Sequence, residues 1–299
     1  MRKKTIALLG NPNVGKTSLF NRITGLNQKV GNYPGITVEK RQGTAKLNQT
    51  EYTIIDLPGT YTLFPNSLDE EVVLNTLLHK ENKDFPDLVV VVSEPSTLTR
   101  GIIIYQQVRE LGLPAIFVIN MEDEMADKGL QIDYEKLESY LKTKVYRTNA
   151  RNGKGIDKLI AGFENQIGPY FGSLSLPQQY DQALNEAKKL FPLDTEYKTW
   201  RYLGLDAQNT HGLETSQQLA SIRAKYQLST QQLQKDEAIL RHEKVQQALS
   251  AIVQKSVNKK LSLTEKIDGL LMHPVLGYVI FFGILFFIFQ AIYAWSGPV

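Results

Sequence analysis

The chain has 299 residues, with 34 Lys+Arg against 31 Asp+Glu, a net charge of +3 and no cysteine. That length favours two structural units, and the near-balance of charge argues against a nucleic-acid binder working by bulk electrostatics. The missing cysteines exclude disulfides, thiolate zinc sites, Fe–S clusters and a cysteine nucleophile, and His79, His211, His242 and His273 show no metal-ligand spacing.

The first ten residues start basic, but their apolar run is too short for a signal peptide. Residues 1–168 alternate apolar β-type runs (5–9, 52–55, 88–92, 115–119, 144–147) with amphipathic stretches such as 133–143 and 156–166. This pattern predicts an α/β fold, a mostly parallel sheet with helices on both faces. Gly168-Pro169 and Gly172 mark a seam. Residues 175–270 are rich in glutamine and predict an all-α domain of three to five helices. Ser229 and Gln232 read there as a capping box, with Leu233, Leu240, Leu249 and Val253 on one helix face. Residues 275–295 carry no charge, enough to cross the roughly 30 Å core of a bilayer, with Tyr293 and Trp295 at one end. Lys255, Lys259, Lys260 and Lys266 precede this span, which predicts a cell-membrane anchor with residues 1–270 cytoplasmic. Ending at its first span, the chain reads as a module of a larger membrane protein.

Gly10-Asn11-Pro12-Asn13-Val14-Gly15-Lys16-Thr17 follows the first apolar run and fits G-x-x-x-x-G-K-[ST]. Such a loop curls backbone N–H groups around phosphates, with Lys16 for the β- and γ-phosphates and Thr17 for Mg²⁺; Ser18 follows in the helix. Asn32-Tyr33-Pro34-Gly35-Ile36-Thr37 belongs to a loop at 31–39 between the first helix and the next strand. Thr37 is its candidate hydroxyl for Mg²⁺ when a γ-phosphate is present. Asp56-Leu57-Pro58-Gly59 closes another strand: Asp56 is a candidate to hold Mg²⁺ and Gly59 to offer an N–H to the γ-phosphate. Asn120-Met121-Glu122-Asp123 ends a third, and Asp123 could accept both hydrogen bonds from guanine N1–H and its 2-amino group, donors that adenine lacks. Asn149-Ala150 ends a fourth and could support the base through the Ala150 N–H.

With these motifs the chain resembles a translation-factor-class small GTPase, specifically the cytoplasmic part of the bacterial ferrous-iron transporter family, FeoB. The resemblance rests on GNPNVGKTSLFN (10–21), VGNYPGITVEK (30–40), DLPGTYTL (56–63), SLDEEV (67–72) and EKIDGLLMHPVLG (265–277). It implies a P-loop GTPase domain, a helical domain and a first transmembrane helix, with GTP or GDP, Mg²⁺ and K⁺ as cofactors and Asn13 as the K⁺ ligand. Lys16, Thr37 and Gly59 would take part in catalysis. Implied partners are guanine nucleotide, the family's membrane domain and small accessory cytoplasmic proteins, with a homo-oligomer admitted and no nucleic acid. Thr60 stands where many small GTPases carry a water-orienting glutamine, which predicts slow hydrolysis. Tyr33 replaces a usual tryptophan, Asn149 a usual Ser or Thr, and Glu94 occupies the acidic position of an altered segment, 93–98. Two other readings stay open: a soluble ribosome- or tRNA-associated GTPase, which the apolar tail opposes, and a nucleotide-binding scaffold without turnover.

Overall fold

The computed structural model describes residues 4–25, 28–47, 50–123, 125, 129–164, 176, 178–205, 213–255, 267 and 269–295. The expected seam at 168–172 and the lysines at 259, 260 and 266 lie outside them. In chain order the first elements are β1 (Lys4–Gly10), α1 (Lys16–Thr24), β2 (Gln28–Asn32), β3 (Glu39–Leu47), β4 (Thr50–Asp56), α2 (Leu68–Leu78), β5 (Leu88–Ser93) and α3 (Leu98–Glu110). Then come β6 (Ala115–Ile119), β7 (Leu130–Ile132), α4 (Tyr134–Leu141), β8 (Val145–Arg147) and α5 (Ile156–Gly162). The helical part comprises α6 (Asp181–Lys188), α7 (Glu196–Leu203), α8 (Leu213–Lys225) and α9 (Thr230–Ile252), followed by β9 (Val253–Lys255) and α10 (Leu276–Trp295).

Seven strands form one sheet in the order β2-β3-β4-β1-β5-β6-β8. The strands from β4 to β8 run parallel, while β2 and β3 fold back antiparallel. β5 (LVVVVS) is buried along its whole length, as a strand covered on both faces must be. Side chains alternate across the sheet. Ile6 and Leu8 of β1 join Leu19, Phe20, Ile156 and Leu159 of α1 and α5 on one face. Ala7 and Leu9 join Val73, Ile102 and Leu137 of α2, α3 and α4 on the other. Each such buried Val, Leu, Ile or Phe contributes about 1.5–3 kcal/mol relative to exposure.

That second core also contains Leu184, Trp200, Leu219, Leu233, Val245 and Leu249, so the helical part packs on the α3 side of the sheet. Helix α9 buries Leu233, Glu237, Arg241, Val245, Leu249 and Ile252. Two charges therefore sit mid-stripe, Leu240 is only half-buried, and Val253 begins a strand; the expected apolar face is corrected at those positions. Ser229 is the N-cap residue of α9 but makes no capping hydrogen bond, and Gln232 Nε2 donates to Asp236 Oδ1 at 2.6 Å, so the expected capping box does not form.

The two buried charges of α9 are paired with each other. Glu237 accepts from Tyr197 Oη (2.7 Å), Trp200 Nε1 (2.8 Å), Arg241 Nε (2.7 Å) and Gln107 Nε2 (3.1 Å), while Arg241 also pairs with Glu110. Gln107 Oε1 in turn accepts from Leu63 N at 3.3 Å. Arg201 donates to the Leu63 carbonyl and lies over the Phe64 ring at 3.7 Å. The loop after Asp56-Leu57-Pro58-Gly59 is thus gripped by the helical part.

A second sheet pairs β7 antiparallel with β9, which joins the end of α9 to the strand following the Asn120–Asp123 loop. Among the described residues, Leu276–Ala294 is the one helix long and apolar enough to cross a membrane, with mean hydropathy 2.1 and no buried share.

Candidate functional site

The motif residues meet at the C-terminal ends of β1, β4, β6 and β8, the edge where parallel α/β sheets bind ligands. Gly10 ends β1 so close to β5 that a Cβ would lie 2.2 Å from the Val92 carbonyl oxygen. The loop then turns through left-handed residues at Asn13 (φ 67°) and Gly15 (φ 78°), and Lys16 and Thr17 open α1. Lys16 Nζ pairs with Asp56 Oδ1, and Thr17 Oγ1 donates to Asp56 Oδ2 at 2.9 Å. Thr60 N donates to the Gly10 carbonyl at 3.1 Å and Gly59 lies against Pro12, so the Asp56–Gly59 loop rests on the phosphate-type loop. Asn11 is buried there with neither amide atom hydrogen-bonded. Thr60 is fully buried, its hydroxyl engaged with the Thr62 carbonyl and Glu70 Oε1.

The loop expected at 31–39 is shorter, because Gly31 and Asn32 belong to β2 and Glu39 to β3. It closes on itself through Tyr33 N to the Val38 carbonyl (2.9 Å) and turns at Gly35, φ 80°. Tyr33, Val38 and partly buried Ile36 pack on Val72 of α2, so tyrosine serves as the loop's apolar foot. Burial, then the charges of Asp84 and Asp56, push the Tyr33 phenol up. Thr37 is exposed on this loop, outside the hydrogen bonds joining Lys16, Thr17 and Asp56.

At the other end of the site Asn120 is buried and joins three segments. Its Nδ2 donates to the Val14 carbonyl (2.9 Å), and its Oδ1 accepts from Ala150 N (2.9 Å) and Thr148 Oγ1 (3.1 Å). Met121 is left-handed (φ 59°), and Asp123 is exposed beyond it. Asn149 Oδ1 accepts from Arg151 N and Asn152 N at 3.0 and 3.2 Å, shaping its own turn. Glu94 accepts from Ser96 Oγ at 2.7 Å. Sequence reasoning missed Arg22, whose guanidinium donates to the Ala150 and Arg151 carbonyls (3.0 and 2.7 Å), and Thr148. Arg22 carries no motif signal; Thr148 could have been suspected from its place between β8 and Asn149.

A cavity of about 440 Å³, lined by Phe85, Asp87, Leu111, Leu113, Asp194 and Lys198 among others, lies at the opposite edge of the sheet. Asp87 is bonded there to Thr5 N and Asp194 to Lys198, and no motif residue reaches it.

This sheet order, with a glycine loop leading into α1 and an aspartate ending β4, defines a P-loop GTPase fold. Residues 4–163 match the family model described as ferrous iron transport protein B. The chain belongs to that family. It is 33% identical to the Fe(2+) transporter FeoB of Leptospira biflexa over 99% of this chain, but over only 44% of that relative's length. The cytosolic domain of L. pneumophila FeoB superposes with TM-score 0.73 at 32% identity, covering 84% of this chain and 100% of that one. The cytosolic domain of the T. maritima FeoB iron transporter, in a GDP form, superposes with TM-score 0.68 at 25% identity, covering 85% and 100%.

Proposed function

We propose that the chain is the GTP-binding, GTP-hydrolysing cytoplasmic switch of a ferrous iron transporter, anchored in the cell membrane by α10. The observation that carries this reading is the hydrogen bond from Asn120 Nδ2 to the Val14 carbonyl. It ties a phosphate cradle and a carboxylate-bearing purine loop into one pocket. Relatives named as iron transporters and a neighbour solved with GDP support it.

When the triphosphate arrives, Lys16 turns from Asp56 to the β- and γ-phosphates. The hydroxyl of Thr17 and the carboxylate of Asp56, already converging, are the hard oxygen donors that Mg²⁺ takes. Bound there, Mg²⁺ supplies charge neutralisation for phosphoryl transfer. Thr37 moves inward from its exposed position, carrying Gly35 and Ile36, and Gly59 offers its N–H to the γ-phosphate. Asn13, exposed in its left-handed turn, would offer a side-chain oxygen to K⁺. Asp123 reads guanine. The Thr60 hydroxyl, engaged with the Thr62 carbonyl and Glu70, is not free to orient water, which favours slow hydrolysis. Phosphate release in K⁺ against Na⁺ tests both the turnover and the ion.

Asp123→Asn is expected to weaken GDP binding at least about tenfold while improving xanthosine diphosphate binding, as calorimetry reads. Equal uptake of ATP and GTP by the unaltered chain would overturn the reading. Loss of ferrous iron uptake when Lys16→Ala is placed in the complete transporter tests its transport part.

A further inference from the structure

The purine-side loop is held from two directions, and only one of them involves the Asn-x-x-Asp signature. From inside, Asn120 binds the phosphate-side loop, Thr148 and Ala150. From outside, the Glu122 carboxylate faces two cations: its Oε1 lies 3.3 Å from Arg147 Nη1 and its Oε2 3.9 Å from Lys154 Nζ. Arg147 ends β8 and Lys154 lies in the turn after Asn149, so both cations flank the Ala150 side of the pocket. Arg147 is also stacked at 4.8 Å over the ring of Tyr134, the first residue of α4, which orients its guanidinium before it meets the carboxylate. Burial, with the Glu122 charge behind it, pushes the Tyr134 phenol up to about 12. Asp123, the neighbouring carboxylate, is exposed.

An exposed ion pair adds little to folding stability, because water and salt screen it. Here it spans the two loops that must part for a purine to leave, so even a small contribution acts on the opening step. We propose that Glu122 is a positioning residue: through Arg147 and Lys154 it holds the 120–123 loop against the 149–155 turn, and it thereby sets how long a guanine nucleotide stays bound. This rests on the GTP-binding reading above.

The test loads the full 299-residue chain in detergent micelles with N-methylanthraniloyl-GDP, chases it with excess GDP and follows release by fluorescence. Glu122→Gln is expected to release the nucleotide about two- to fivefold faster with an unchanged association rate. The charge swap Glu122→Arg with Arg147→Glu recovers most of that loss, which a merely structural role would not permit. Added NaCl accelerates release from the unaltered chain and leaves Glu122→Gln nearly flat. Release from Glu122→Gln at the unaltered rate, or a swap as fast as the single variant, overturns the clamp. A chain that loads no fluorescent nucleotide overturns the GTP-binding reading and the clamp with it, whereas normal loading with unchanged release sinks the clamp alone.

Discussion

At Gly15 two constraints coincide: its φ of 78° disfavours any L side chain, and a Cβ would sit 2.3 Å from Asn120 Nδ2. That amide is what joins the phosphate and purine ends of the pocket, so the glycine serves more than the phosphate cradle. Gly15→Ala is therefore expected to cost about 1–3 kcal/mol of stability and to weaken GDP binding more than tenfold. Denaturant unfolding and calorimetry read the two effects separately, and an alanine variant with unchanged affinity would show that the Asn120 bridge is dispensable. Lys16 and Asp56 hold each other in a buried pair, which keeps either charge from being stranded before phosphate arrives.

Helix α9 shows what an ion cluster does to an otherwise apolar stripe. Glu237 gathers Tyr197, Trp200, Gln107 and Arg241 around one carboxylate, so removing it leaves three donors without their acceptor and the buried Arg241 guanidinium with Glu110 as its remaining carboxylate. Glu237→Ala is expected to lose about 3–5 kcal/mol in denaturant unfolding. Burial alone would raise the Glu237 pKa, but the Arg241 and Arg201 charges override it and hold the carboxyl below the usual range. Glu110, also beside Arg241, moves the other way because its burial outweighs the guanidinium. The four donors that converge on Glu237 make its direction the decisive one. A depressed folded pKa stabilises above the ordinary glutamate value of about 4.3, and that stability drains away as pH falls through the lower folded value. Thermal midpoints from pH 6 to 3 should thus fall steeply for the unaltered chain and less steeply for Glu237→Gln.

Which elements could be read from the sequence follows from the same chemistry. The runs that became β1, β4, β5, β6 and β8 are apolar because the sheet buries them, and their ends carry the motif residues. β2 (QKVGN) is exposed throughout and β3 carries Glu39, Lys40, Arg41 and Lys46, so neither shows a strand's apolar signature. β7 and β9 are three residues each and exist through mutual pairing, which no local pattern announces. In α9 the 3.6-residue period was visible, but assigning Leu240 in place of Glu237 and Arg241 to its buried face followed from treating charge as a mark of solvent. Within the site, Lys16, Thr17, Asp56, Asn120 and Ala150 were placed by motif spacing. Glu122, Arg147 and Arg22 were not, since their roles come from loops meeting in space.

At the scale of the whole molecule, two structures bear on the α/β domain. The helical part grips the loop beyond Gly59 directly through Arg201 and indirectly through Glu237, which holds Gln107 of α3 against Leu63 N, and the β7–β9 pair fastens the chain after α9 beside the purine loop. Because the chain has no cysteine, the second attachment can be locked cleanly. Gln131 and Gln254 are directly paired and exposed, so Gln131→Cys with Gln254→Cys should oxidise to one disulfide in the folded chain. The cross-link is expected to add about 2–4 kcal/mol of stability, read as a higher thermal midpoint that reductant reverses. Failure to cross-link would mean that the small sheet is not populated in solution.

The register of that pair has a mechanical corollary. Lys255, the end of β9 nearer the span, lies across from Leu130, the end of β7 nearer the purine loop. Tension arriving from the bilayer side would load this rung first and unzip the ribbon one rung at a time, which takes less force than shearing all its bonds together. Pulled from the α10 side, the pair would thus begin to yield at the rung nearest in sequence to the Asn120–Asp123 loop.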